Sequence, residues 1–168
     1  MQKDILSNLN QILENLEYNG GYLYKNDLET LTGIAEKDTQ NAKFIIEKCT
    51  KIIQRLKKAG KTVYIDDAYY IRGLMYEIIK DYKNAIADFT CAVDMYEDAD
   101  GALFERGKVY YTLQNYEQAL EDLNLVIERD SNSNGDYYYY RGLTHKALGN
   151  NEHAAKDLQI ALKMAENK

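Results

Sequence analysis

The sequence has no proline and no tryptophan, and its 168 residues include only two cysteines and two histidines. Each shortage excludes something. Cys49 and Cys91 both fall on apolar helical stripes, and no CxxC or paired-cysteine framework exists, which suits a reducing compartment. His145 and His153 are eight residues apart, with neither HExxH spacing nor a cysteine cluster to complete a metal site. His145 is read as a structural residue, and no metal or other cofactor is expected. The ten glycines are dispersed rather than gathered in a loop, so nucleotide binding has no support. Neither cysteine has a base near it in sequence. No catalytic arrangement emerges, and the chain is not expected to be an enzyme. Runs of about eighteen apolar residues are absent, so nothing is expected to span a membrane. The opening MQKDILSNLNQILENLEYNG is broken by Asn, Gln and Glu and lacks a signal-peptide core. The expected location is cytoplasmic.

Positive charge is also short. The formal net charge is −6, which makes the chain as a whole a poor ligand for polyanions. Residues 1–62 hold ten Lys/Arg against eight Asp/Glu, whereas the remainder holds eleven against nineteen, a net −8. A single-stranded RNA binder stacking bases on tyrosines is therefore the weaker reading, because phosphate wants the opposite sign. The cluster Lys48, Lys51, Arg55, Lys57, Lys58 and Lys61 reads as a solvated face near a helix C-terminus, where the helix dipole favours cations.

What is present is a repeat. Asp67–Tyr96 carries two helical patterns separated by Lys80-Asp81, the first with Tyr69, Arg72-Gly73 and Tyr76, the second with Ala85, Phe89 and Ala92. The grammar returns 34 residues on as Leu103, Arg106-Gly107, Tyr110, then Ala119, Leu123, Val126. It returns 35 residues later as Tyr138, Arg141-Gly142, His145, then Ala154, Leu158, Ala161. Second helices open at Asp81, Asn115 and Asn150, all good N-caps. Gly73, Gly107 and Gly142 sit inside helices, where each costs about 1 kcal/mol relative to alanine. Their recurrence implies close approach of a partner helix. Arg72, Arg106 and Arg141 each precede by sixteen residues an aspartate, Asp88, Asp122 or Asp157, which predicts a bidentate lock across each helical hairpin.

Three in-register copies of Tyr/Leu-x-x-Arg-Gly-x-x-Tyr/His, each followed by Ala-x-x-x-Phe/Leu, resemble the tetratricopeptide repeat family over about 66–168. The usual tryptophan is Tyr69, Leu103 or Tyr138, His145 replaces Tyr76 and Tyr110, and the closing prolines are missing, which leaves repeat junctions less rigid. The resemblance implies an all-α, right-handed superhelical α-solenoid of three hairpins, about 66–99, 100–134 and 135–168. It further implies a protein–protein interaction module, an adaptor or chaperone, that holds a partner segment in a concave groove lined by first helices. Carried over, the groove residues are Asp67, Tyr70, Leu74 and Glu77, then Phe104, Lys108 and Tyr111, then Asp136, Tyr139, Leu143 and Lys146. Tyr70, Phe104 and Tyr139 would form one aromatic rung per repeat. Acidic residues outnumber Lys108 and Lys146 there, so the expected partner is a neutral-to-basic protein segment with apolar anchors, not nucleic acid or membrane. Some family members clamp a C-terminal carboxylate with basic residues. The corresponding positions here, Tyr70, Leu74, Glu105, Asp136 and Tyr140, are not basic, so no such clamp is expected. The alternative within binding proteins is a dedicated chaperone or inhibitor masking one cognate protein.

Residues 1–62 do not follow the repeat and are read as a helical cap or degenerate repeat, with a dimerisation arm as the alternative. The pattern predicts helices over roughly 3–18, then from an Asn26/Glu29 capping box through Ala35, then from Asp38/Thr39 to Gly60, with Asn19-Gly20-Gly21 as the first stop. At the other end, Ala155 and Gln159 lower the apolar demand for a further neighbour, so Lys168 reads as a natural end and a monomer is favoured, with Leu162 partly exposed.

Overall fold

A computed structural model of the chain describes residues 7, 10–16, 25–61, 65–96, 98–130 and 134–166, and every regular element among them is helical. The boundary expected at residue 62, the Asn19-Gly20-Gly21 stop and both ends of the first helix lie outside the described residues. The chain forms two compact units, Met1–Glu97 and Asp98–Lys168.

The first unit holds α1 (10–16), α2 (Lys25–Lys37), α3 (Thr39–Lys58), α4 (Ile65–Ile78) and α5 (Tyr82–Met95). Helix α3 starts where Asp38 accepts a hydrogen bond from the Gln40 N–H at 2.9 Å, and it buries Ala42, Ile45, Cys49, Ile52, Ile53 and Leu56. Burial pushes the Cys49 thiol up to about 12, far from a reactive thiolate. The capping-box expectation for α2 needs correction. The helix begins at Lys25, so Asn26 lies in its first turn, where its carbonyl accepts from the Thr30 hydroxyl. Helices α2, α3 and α4 pack against one another, and α4 pairs with α5 as a hairpin.

The second unit holds α6 (Asp100–Thr112), α7 (Tyr116–Arg129), α8 (Gly135–Ala147) and α9 (Asn151–Glu166), with α6 on α7, α7 on α8 and α8 on α9. All three hairpins turn in the same way. Lys80, Gln114 and Gly149 take φ of 62°, 61° and 79°. At each turn the left-handed residue bonds back three residues and its successor bonds back five, as in Asp81 N–H to Tyr76 O and Asn150 N–H to His145 O. This is the Schellman arrangement that satisfies the last carbonyls of a helix. Gly60 ends α3 likewise, at φ 65°.

The helix-borne glycines meet large side chains of the partner helix. A Cβ on Gly73 would lie 2.6 Å from the Phe89 ring, one on Gly107 3.2 Å from Leu123, and one on Gly142 2.9 Å from Leu158. Beside each glycine the arginine grips its aspartate from Nε and Nη2. The Arg72–Asp88 bonds are both 2.7 Å, the Arg106–Asp122 bonds 2.8 and 2.7 Å, and the Arg141–Asp157 bonds both 2.8 Å. The aspartates are 4–5% exposed. Burial works against the Arg72 charge, but the bonds and field of Asp88 outweigh it and raise its pKa. For Arg141 the Asp157 bonds lead and burial opposes them, with the same upward result. Arg72 Nη1 also donates to Thr50 of α3 at 2.9 Å, and Arg141 Nη1 to Asn124 of α7 at 3.0 Å.

Candidate binding surface

The expected groove residues lie on α4, α6 and α8, and their exposure is unequal. On α4, Asp67, Tyr70, Leu74 and Glu77 are all half-buried, and the Tyr70 ring is 6.0 Å from Phe89. On α6, Phe104 is only 9% exposed, because Tyr137 and Tyr140 of α8 close over it at 4.8 and 5.7 Å. Its ring is a base for other rings rather than an open rung. On α8, Tyr139 is 44% exposed, with Asp136 and Lys146 exposed and Leu143 half-buried.

In the second unit the rings connect. Tyr116 lies 5.8 Å from Tyr111, Tyr111 6.1 Å from Tyr140, and Tyr140 5.6 Å from Tyr139, the last two contacts edge-to-face at 82° and 87°. Edge-to-face pairs hold each other's orientation and contribute about 0.5–1.5 kcal/mol beyond their buried area. Lys108 Nζ sits 5.4 Å over the Phe104 ring and 5.9 Å over Tyr140 while donating to Glu105, so its charge is set into the aromatic cluster. Burial raises the Tyr137 pKa, and the fields of Asp130 and Asp100 add to it, so this phenol stays protonated. At the end of the ring series opens a cleft of about 500 Å³ whose lining includes Gly135, Asp136, Tyr139, Leu158, Leu162 and Met164.

Sequence reasoning did not single out Tyr137 or Tyr140 as members of this cluster, although the run Tyr137–Tyr140 marks an unusual density of rings. It also missed Thr50 and Asn124 as further partners of the arginines. Among the described residues no three His, Cys, Asp or Glu side chains converge as metal ligands. No helix among them is long and apolar enough to cross a membrane.

Residues 66–98 and 101–133 each match the model of the tetratricopeptide repeat. Those two stretches of the chain are tetratricopeptide repeats. No curated protein sequence matches it. Among solved structures, this chain is similar to BtubC from P. vanneervenii at a TM-score of 0.69 and 12% identity, covering 92% of this chain and 71% of that one. It is also similar to MamA from Desulfovibrio magneticus RS-1, at a TM-score of 0.58 and 18% identity over 74% and 77% of the two chains. A third similar structure is YrrB, described as a TPR protein with an unusual peptide-binding site, at 0.60 and 19% over 96% and 81%. At these identities the likeness concerns the all-α repeat fold.

Proposed function

We propose that this protein is an interaction module that binds an extended or helical segment of a partner protein, and that the ring series of α6, α7 and α8 is its principal contact. The carrying observation is the connected run Tyr116–Tyr111–Tyr140–Tyr139, anchored below by Phe104 and ending at an exposed ring beside an apolar cleft. Preoriented tyrosines offer large contact area with little rotamer entropy left to lose on binding. Asp136, which lines the cleft, favours a neutral-to-basic segment with apolar anchors. The outward residues Lys83, Glu117 and Lys156 are exposed and mixed in sign, and they offer no comparable apolar surface.

The test is selection of binders from a displayed random peptide library against the full chain. Enriched sequences should carry aromatic or aliphatic anchors with Lys or Arg between them. Their affinity should fall at least tenfold in Tyr139→Ser and Tyr111→Ser, and stay unchanged in Glu117→Lys and Lys156→Glu. Phe104 is left alone because its removal would damage the core. Selected peptides that bind both tyrosine variants as tightly as the parent would refute the ring surface as the site.

A further inference from the structure

The two histidines of the sequence, eight residues apart across a turn, come together in the fold. Their rings lie 5.1 Å apart between centroids, tilted by 37°. His145 is in the last turn of α8 and His153 in the first turn of α9. The intervening turn is pinned by the bonds Leu148 N–H to Thr144 O, Gly149 N–H to Lys146 O and Asn150 N–H to His145 O. The spacing of the rings is therefore set by backbone and not by two mobile side chains alone. His145 Nδ1 is buried and has no hydrogen-bond partner. A buried imidazole nitrogen without a partner is an unmet polar demand.

The other hairpins provide an internal control. The equivalent positions are Tyr110 and Gln118 in the second, and Tyr76 and Asn84 in the first. Histidine thus replaces both members of a facing pair, and does so in one hairpin only. A ring needed merely to fill space at position 145 would be supplied by tyrosine, as it is twice elsewhere.

We propose that His145 and His153 form a two-imidazole binding site for a divalent late transition-metal ion. Imidazole nitrogen suits Zn²⁺, Ni²⁺ and above all Cu²⁺, and it discriminates against Mg²⁺ and Ca²⁺, which take oxygen. Asp157 lies four residues beyond His153, but both its carboxylate oxygens are held by Arg141. The protein supplies two ligands, and because His153 is exposed the remaining positions are open to water or to a ligand from a bound partner. Burial lowers the His145 pKa, the field of Asp157 opposes that, and the fields of His153 and Arg141 reinforce it.

Isothermal titration of the full chain, carrying no histidine tag, with Cu²⁺, Zn²⁺ and Mg²⁺ at pH 7.5 tests this. One equivalent of Cu²⁺ should bind, more tightly than Zn²⁺, with no Mg²⁺ response, and binding should weaken at least tenfold at pH 5.5. His145→Tyr and His153→Gln install the side chains of the second hairpin, so both should fold, as circular dichroism would verify. Each should weaken Cu²⁺ binding at least tenfold. Broadening by Cu²⁺ of both histidine C–H resonances should be the first change in a proton spectrum. Absence of saturable Cu²⁺ binding, or binding of equal strength in the two variants, overturns the site.

Discussion

Helices α7 and α9 are the second helices of successive hairpins in one unit, and nearly everything about how they meet their partners is shared. Each follows a Schellman turn, each presents an aspartate to an arginine sixteen residues back, and each lays a leucine against a glycine. Their far sides differ. Helix α8 packs on α7, where Val126 is fully buried and Ile127 is 7% exposed, whereas at the matching positions of α9 Ala161 is half-buried and Leu162 is 60% exposed. Hairpin closure is thus a local matter, while burial of the second stripe depends on a following helix.

The largest effects should come from the shared part. Arg106 and Asp122 side chains are 16% and 8% exposed, so Arg106→Ala strands a buried carboxylate and should cost about 3–5 kcal/mol in urea denaturation. Arg141→Ala should cost a similar amount although α9 is open on its far side, since the Arg141–Asp157 pair is 20% and 6% exposed. In a double-mutant cycle, Arg106→Ala with Asp122→Ala should lose less than the sum of the singles. Additive losses would break the pairing, and a mild Arg141→Ala would show that the lock needs the covering helix.

The unshared part predicts a contrast. Ile127→Ala should cost about 2–4 kcal/mol, because it opens a cavity under α8, while Leu162→Ala should stay within about 0.5 kcal/mol. Equal losses would mean that Leu162 is covered in solution, and sedimentation would then reveal by what. The glycines give a finer contrast. Gly142→Ala places a Cβ 2.9 Å from Leu158 Cγ and 3.3 Å from the Ala154 carbonyl, so a net loss of about 1–2 kcal/mol is expected. Gly107→Ala meets Leu123 at 3.2 Å, and about 1 kcal/mol of helix propensity should offset the strain. Thermal melts that rank Gly107→Ala below Gly142→Ala would reverse this reading of the packing.

The smallest effect is one of pH. Burial holds the His145 pKa below its ordinary value, with Asp157 opposing and His153 and Arg141 assisting. The unfolded chain then binds the proton more readily than the folded one, so the contribution is complete above about pH 6.5 and is lost as pH falls toward the folded value. His145→Tyr should flatten the change in melting temperature between pH 7.5 and 5.5, and an unchanged slope would assign the acid sensitivity elsewhere.

Much of this was legible in advance because the repeat states each rule three times. The Arg-Gly pair, the aspartate sixteen residues on and the turn position are local regularities, and a hairpin with short connections leaves little freedom in how they meet. The ring surface was less legible. One ring per repeat at Tyr70, Phe104 and Tyr139 suggested equal rungs, but Phe104 is 9% exposed and Tyr139 44%. The cause is not in either residue's own helix: Tyr137 and Tyr140 fold over Phe104 from α8.

The sequence by itself determined the all-α class, the period, the hairpin turns and the residues that hold each hairpin closed, since helical spacing and i to i+16 pairing are properties of a short stretch of chain. Only the tertiary structure decided which tyrosines are base and which are surface, and that His145 faces His153. Those outcomes depend on which helix lies against which, and exposure is a property of neighbours rather than of the residue itself.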